Sequence, residues 1–313
     1  MVEPCRRQAG RPGWIGAMKA APFRYHRAES LAEASAMLAD LDNARLLSGG
    51  QSLMAMMNLR YVIVDHLIDL NPVREMAGVT SHDSYFEVGA MTRQRCLLND
   101  DAVAAHSPIF RAALSYVGHL QTRNRGTVGG SLAHMDPAAE LMGLAALTDA
   151  EITLTGPTGA RRVAIADFPQ GYMTPDIGFD EILTTVRFAR WPAGHGWDFR
   201  EFAQRHGDFA VVGVGSLLTL DSVGAIDRAA VVLIGVGDGP LRLVEVEALL
   251  TGVRPDTELF RAAGEAARHP AITGDALVSA DYRRQLAAVM VRRSLTDAYR
   301  RARAAVGKEG GHV

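Results

Sequence analysis

The chain has 313 residues, 48% hydrophobic and 22% charged, the balance of a folded globular protein with room for two or three domains. Lys+Arg 33 against Asp+Glu 35 leaves a net charge of −2, which offers no whole-chain attraction to nucleic acid or anionic lipid and argues against both as partners. The two cysteines, Cys5 and Cys96, cannot supply the four thiolates of a structural zinc site or an iron–sulfur cluster, so no metal site is expected from them.

So few cysteines in so long a chain read as reduced thiols in a cytoplasmic protein, with one Cys5–Cys96 disulfide as the other option. No stretch approaches eighteen uninterrupted apolar residues, so no membrane span is expected. Residues 1–17 are basic and turn-rich and read as a disordered leader, or as sequence upstream of the real start at Met18.

Residues 18–75 alternate as a small α/β unit. Ser30-Leu31-Ala32-Glu33 is a capping box, and Leu31, Ala34, Leu38 and Leu41 recur at helical spacing. A strand at Arg45-Leu46-Leu47, a Gly49-Gly50 turn, a helical run from Leu53 to Leu59 and a strand over His66–Leu70 follow, stopped by Asn71-Pro72. Residues 76–190 read as an antiparallel α+β domain. Its strands are Tyr85–Gly89, Glu151–Thr155 and Glu181–Val186, and a helical stretch breaks at Pro108. Asp136-Pro137 is expected to start a helix, with Asp136 as its cap and His134 hydrogen-bonded within the loop before it. Trp191 to Gly196 reads as a linker. The domain over 197–305 shows two buried strands, Ala210 to Leu220 and Ala229 to Val236, then two helices. The last helix spans about Asp281 to Arg303, with Tyr282, Leu286, Val289 and Met290 on one face. Residues 306–313 read as a disordered tail.

Two loops carry chemistry. Adjacent glycines let the backbone take positive φ and approach a ligand closely, and a Gly-Gly turn between a strand and a helix can aim several N–H groups at one anion. Leu46-Leu47-Ser48-Gly49-Gly50-Gln51-Ser52-Leu53 has that context, and Gly126-Thr127-Val128-Gly129-Gly130-Ser131 repeats the chemistry. Neither holds the Gly-Lys-Ser/Thr of a P-loop or the three glycines of a Rossmann turn. A lone Gly-Gly is more often a turn than a site. Two of them, each beside Ser, Thr or Gln, point to an anionic ligand with two phosphates, and spacing alone goes no further.

Ser48-Gly49-Gly50-Gln51-Ser52-Leu53 with Met57-Asn58-Leu59-Arg60 resembles the first FAD loop of the flavin subunit of molybdenum hydroxylases, the family of carbon monoxide dehydrogenase and bacterial xanthine dehydrogenase. The run Arg123-Asn124-Arg125-Gly126-Thr127-Val128-Gly129-Gly130-Ser131, continued by Leu132-Ala133-His134-Met135-Asp136-Pro137-Ala138-Ala139-Glu140, resembles the second loop more closely still. Val88-Gly89-Ala90-Met91-Thr92, Arg205-His206-Gly207-Asp208-Phe209-Ala210 and Ala280-Asp281-Tyr282-Arg283-Arg284 follow in family order.

The resemblance implies an α+β fold: a two-subdomain FAD-binding module of the vanillyl-alcohol-oxidase (PCMH) type, plus a C-terminal domain of a small sheet and helices. It implies that Leu46, Leu47, Ser48, Gly49, Gly50, Gln51, Ser52 and Leu53 wrap the pyrophosphate of FAD. Thr127, Val128, Gly129, Gly130 and Ser131 would take its other side and the ribityl chain. Glu140 would reach sugar or ribityl hydroxyls, Leu183 would lie in a strand packed on the cofactor, and Tyr172 would approach the isoalloxazine, with a core position as the alternative. Electrons would come from the [2Fe–2S] clusters of a small partner chain, fed by a large molybdopterin-containing partner, and leave FAD for NAD, oxygen or another acceptor. The implied assembly is a dimer of heterotrimers. No catalytic acid or base is implied, because the cofactor carries the chemistry. Arg283, Arg284, Arg292, Arg293, Arg300 and Arg301 read as a solvated helix face, or as a docking surface for a partner subunit. A stand-alone FAD oxidase and a non-redox nucleotide-binding module remain alternative functions.

Overall fold

The structure is a computed structural model that describes residues 19–309; residues 1–18, with Cys5 and the expected leader, and residues 310–313 lie outside the described residues. The first unit comprises β1 (Arg24–Arg27), α1 (Leu31–Asp40), β2 (Ala44–Leu47), α2 (Leu53–Asn58) and β3 (His66–Asp69). Its strands form a parallel sheet in the order β1-β3-β2. The Ser30 Oγ accepts from the Glu33 N–H at 3.2 Å. The Glu33 carboxylate accepts at 2.8 Å from the N–H of Glu29, not of Ser30, so the reciprocal half of the box is shifted by one residue. Ala34 and Leu38 are buried, and Leu31 and Leu41 pack on the same core.

The second unit opens with β4 (Val79–Ser81) and β5 (Tyr85–Gly89). Six helices follow: α3 (Gln94–Leu98), α4 (Asp101–His106), α5 (Ile109–Leu114), α6 (Leu120–Arg125), α7 (Val128–His134) and α8 (Glu140–Leu147). Five strands close it: β6 (Glu151–Gly156), β7 (Gly159–Ala164), β8 (Pro169–Gly171), β9 (Thr174–Pro175) and β10 (Ile182–Ala189). The antiparallel sheet runs β4-β5-β10-β6-β7, with β8 and β9 apart as a hairpin. Phe86, Phe110 and Phe188 meet in its core with ring centroids 5.0 to 5.3 Å apart, a spacing that favours edge-to-face and offset contact.

Asp136-Pro137 does not start a helix. The Asp136 carbonyl accepts from the Ala139 N–H at 2.9 Å and its Oδ1 accepts from the Ala138 N–H at 2.8 Å. Pro137 therefore sits at the second position of a tight turn, where its fixed φ is favourable, and α8 begins at Glu140.

The third unit is β11 (Gly196–Phe202), β12 (Val212–Leu220), β13 (Ile226–Ile234) and β14 (Leu241–Arg242), with α9 (Val244–Leu250), α10 (Thr257–Ala266) and α11 (Ala280–Glu309). Its four strands pair antiparallel in chain order. Val214, Leu218, Val231 and Leu233 pack in one core with Val291 and Leu295 of α11. Leu217, Ala230, Val232 and Ile234 pack in the other with Leu144 and Leu147 of α8. A sheet covered on both faces accounts for the unbroken apolar runs.

Three helices stand where two were expected, because Val244-Glu245-Val246-Glu247 alternates like a strand. The last helix continues to Glu309, into the stretch expected to be disordered. Its buried stripe is Ala287, Met290, Val291, Ser294, Leu295, Ala298 and Ala302, whereas Tyr282 is 44% exposed. Nor are its arginines simply a solvated face. Arg283 is buried and donates to the Thr273 carbonyl at 2.9 Å, and Arg301 donates to Asp198 at 2.8 Å. Arg284 and Arg300 pair with Asp281 and Asp297.

Candidate functional site

The first glycine loop joins β2 to α2, and the second joins α6 to α7. They touch. A Cβ on Gly49 would stand 2.5 Å from the Arg125 carbonyl oxygen and 2.8 Å from the Cα of Gly126, and one on Gly130 would stand 2.5 Å from the Ser48 Oγ. Gly50 turns the first loop at φ 72°, which disfavours any side chain. A cavity of about 980 Å³ opens between the loops, walled also by the start of α8, the Met173–Leu183 segment and Gly207 to Phe209.

Leu46, Ser48, Gly49, Gly50, Gln51, Ser52 and Leu53 line it, as do Thr127, Gly129, Gly130, Ser131, Glu140 and Leu183. Three of the expected residues do not. Leu47 packs on the small cluster around Met57 and Leu67. Val128 is fully buried in the main core. Tyr172 is 63% exposed on the β8–β9 hairpin; its neighbour Met173 lines the cavity instead.

The hydrogen bonds divide the work between the loops. In the second loop the Val128 N–H donates to the Thr92 carbonyl at 3.0 Å, and the Gly129 N–H to the Ala90 carbonyl at 2.8 Å. The Gly130 N–H donates to the Thr127 Oγ1 at 3.0 Å. These donors are spent, and the second loop offers shape and hydroxyls. In the first loop the N–H groups of Gly49, Gly50, Gln51 and Ser52 meet no backbone acceptor among the described residues. Four consecutive free donors on residues that line a cavity form a cradle for anionic oxygens.

Burial pushes the Glu140 carboxyl up to about 7, helped by Asp136 and opposed by its own backbone N–H and by Arg123. Burial and then Glu140 push Glu201, on β11, up to about 8, and its Oε2 is buried without a partner. Burial thus favours the protonated form of both carboxyls, in which Glu140 can donate to a hydroxyl as well as accept from one. Burial lowers the His134 imidazole against the pull of Asp136; it lines the cavity, and no hydrogen bond to it is formed among the described residues, contrary to the expectation. Arg123 is structural, donating to the Val117 carbonyl at 2.7 Å. Arg161 pins the 173–181 wall through Glu181 at 2.7 Å and Asp176 at 2.8 Å. Cys96 is free and exposed.

Sequence reasoning missed Glu201, the 173–179 wall and the part played by Asn71 and Arg93. Glu201 had one usable signal, a carboxylate between Phe199 and Phe202 in the segment that leads to Arg205-His206-Gly207-Asp208-Phe209. The others had none, because they reach the loops only through the fold.

The donors, the hydroxyls of Ser48, Ser52 and Ser131, the Glu140 carboxyl and a volume at the upper end of roughly 300–1,000 Å³ for ligand pockets fit an elongated diphosphate such as FAD. The family model described as the FAD binding domain in molybdopterin dehydrogenase matches residues 21–191. The CO dehydrogenase flavoprotein C-terminal domain model matches residues 197–298. The chain belongs to this family. The alpha subunit of the 6-hydroxypseudooxynicotine dehydrogenase complex of Paenarthrobacter nicotinovorans is 36% identical, over 91% of this chain and 97% of that one. The carbon monoxide dehydrogenase medium chain of Afipia carboxidovorans is 35% identical, over 90% and 98%. The solved carbon monoxide dehydrogenase of Hydrogenophaga pseudoflava superposes with a TM-score of 0.88 at 33% identity, covering 91% of this chain and 99% of that one. The chain is thus an FAD-binding oxidoreductase subunit with an FAD-binding domain followed by a flavoprotein C-terminal domain.

Proposed function

We propose that this chain is the electron-transfer subunit of a molybdenum-containing hydroxylase, with FAD lying in the cavity between the glycine loops in a module of the vanillyl-alcohol-oxidase (PCMH) type. Bound there, FAD would supply the redox chemistry that links the [2Fe–2S] clusters of a small subunit, fed by a molybdopterin-containing large one, to NAD, oxygen or another acceptor. The chain's own residues bind and orient. Gly49, Gly50, Gln51 and Ser52 present their N–H groups to the pyrophosphate, and Thr127 and Ser131 present hydroxyls from the other side. Glu140 hydrogen-bonds the sugar or ribityl hydroxyls, and Leu183 supplies an apolar contact.

The single observation that carries this reading is the row of four free N–H donors in the first loop. Medium chains of multi-subunit dehydrogenases among the relatives support the partner assignment. No helix of the described residues is long and apolar enough to cross a membrane; the sparse cysteine usage supports a cytoplasmic location, and the proposed assembly is a dimer of heterotrimers. Co-expression with a molybdopterin chain and a two-cluster iron–sulfur chain tests it. The complex is expected to co-purify, and its flavin bands at about 450 nm should bleach with organic substrate only when the iron–sulfur chain is present.

One observation favours a stand-alone oxidase. The Glu140 carboxyl lines the cavity and titrates near neutrality, as a substrate-contacting acid or base would. Bleaching of the isolated yellow chain by a small organic substrate, without other chains, would select that reading and reject the first.

A further inference from the structure

The first glycine loop follows β2 of the parallel sheet, the second lies between α6 and α7 of the next unit, and no strand pairing among the described residues joins the sheets of the two units. The contacts of Gly49 and Gly130 set how closely the loops can approach, but van der Waals contact resists compression and does little to resist separation. Something must also hold the loops together. The Asn71 Nδ2 donates to the Ser48 carbonyl at 3.0 Å and to the Asp69 carboxylate. The Arg93 guanidinium donates to the Asn71 Oδ1 and to the Arg125 carbonyl, the same oxygen on which Gly49 packs. Asp69 is anchored in turn, its Oδ1 accepting from the Asn71 N–H at 2.9 Å and its Oδ2 from the Tyr25 hydroxyl at 2.5 Å. The network admits one orientation of the Asn71 amide, with its NH₂ between two acceptors and its oxygen toward a cation.

We propose that Asn71 and Arg93 are positioning residues, a hydrogen-bonded clamp that holds the two glycine loops at the separation the FAD pyrophosphate needs. Neither lines the cavity, so both act through the carbonyls of Ser48 and Arg125. Gripping those two carbonyls fixes where Gly49 and Gly50 present their N–H groups relative to Thr127. Preorganised donors bind an anion without first being ordered, and loosened ones do not. The inference rests on the reading of these loops as the pyrophosphate site.

The test uses the full chain stripped of flavin and titrated with FAD, with ADP as a pyrophosphate carrying no flavin, and with riboflavin as a flavin carrying no phosphate. Asn71→Leu and Arg93→Met are each expected to weaken FAD and ADP by about 10–100-fold, the scale of losing one or two hydrogen bonds, one of them charged. Riboflavin binding should change by less than about twofold. The double variant should be no weaker than the worse single variant, because both remove one linked device. Arg93→Lys should recover part of the loss, since an ammonium can keep one of the two bonds but not both. Unchanged FAD affinity in both variants overturns the clamp. So does an equal loss for FAD and riboflavin accompanied by a lower Tm of the flavin-free protein, which would mark general loosening. An unaltered chain that binds riboflavin as tightly as FAD and ignores ADP would remove the pyrophosphate reading itself, and the clamp with it.

Discussion

At the residue scale, close packing at the glycines and the protonation of buried carboxyls set the properties of the site. Gly130 is a glycine because the second loop lies on the Ser48 hydroxyl, where a Cβ would come within 2.5 Å, with the Thr127 Oγ1 at 2.7 Å. Gly130→Ala is expected to turn the Ser48 and Thr127 hydroxyls aside and break the Thr127 cap on the residue-130 N–H, at a cost of about 1 kcal/mol. FAD affinity, followed by fluorescence titration, should then fall about tenfold or more. Glu140 and Glu201 make a second prediction. Their carboxyls titrate at about 7 and about 8 in the folded chain, above the ordinary glutamate value of about 4.3. Between those values the folded state binds more protons than the unfolded one, so stability falls as pH rises, most steeply until both carboxyls have ionised. The Tm of the flavin-free chain should drop from pH 5 to pH 8.5, and Glu201→Gln should flatten that slope. A slope unchanged in Glu201→Gln would show that the buried pair does not govern it. Asp69 runs the other way. Burial alone would raise it, but hydrogen bonds from Tyr25 and Asn71 outweigh that and hold it low, so its contribution is full above the usual carboxylate range and is lost progressively as pH falls through that range to its own lower value.

At the element scale, caps and faces carry the stability. Ser30→Ala removes the side-chain cap of α1 and should cost about 1 kcal/mol, read as a shift of a few degrees or less in Tm. Leu147, at the end of α8, is fully buried, and a Cβ on Gly215 of β12 would meet its Cδ2 at 3.0 Å. The helix of the second unit is therefore seated on the sheet of the third. Leu147→Ala should cost about 2–5 kcal/mol, and unfolding in urea should remain a single transition if the two units share one core. The elements easiest to read in the sequence were those whose apolar period matched their environment. β5 spans the five residues expected, and Pro108 caps α5 where the break was placed. The misreadings have local causes: Asp-Pro serves turns as well as helix starts, and a two-turn helix with alternating Val and Glu mimics a strand.

At the scale of the whole molecule, the cofactor is expected to act as a structural ligand as well. FAD at about a hundredfold above its Kd should stabilise the fold by about 2.7 kcal/mol, raising Tm by several degrees in a calorimetric comparison of flavin-free and reconstituted protein. The same comparison with Gly130→Ala should show a smaller rise at equal FAD. The paired arginines of α11 leave Arg292 and Arg293 as its exposed central charges. Reversing those two should weaken co-purification with partner chains only if that face is buried in the complex.

The two glycine loops, the strand–turn–helix setting of the first and their family signature were legible in the sequence, because each is a local pattern that the chain must carry wherever it folds. The sequence alone also marked β2, β3, β5, β6, β10, β12 and β13, since period and β-branching are local, but not β1, β4, β7, β8, β9, β11 or β14, and it determined which family the chain resembles. The tertiary structure decided which loop keeps its donors free. That depends on Thr92 and Ala90 lying beside α7 and on no acceptor lying beside Gly49 to Ser52 among the described residues' backbone. It also decided that Leu47 and Val128 turn into cores, that Glu140 on α8 raises Glu201 on β11, and that Asn71 and Arg93 bridge the loops. Each of these is a meeting of groups far apart in the chain, brought together by the packing of three sheets, and no local pattern records such a meeting.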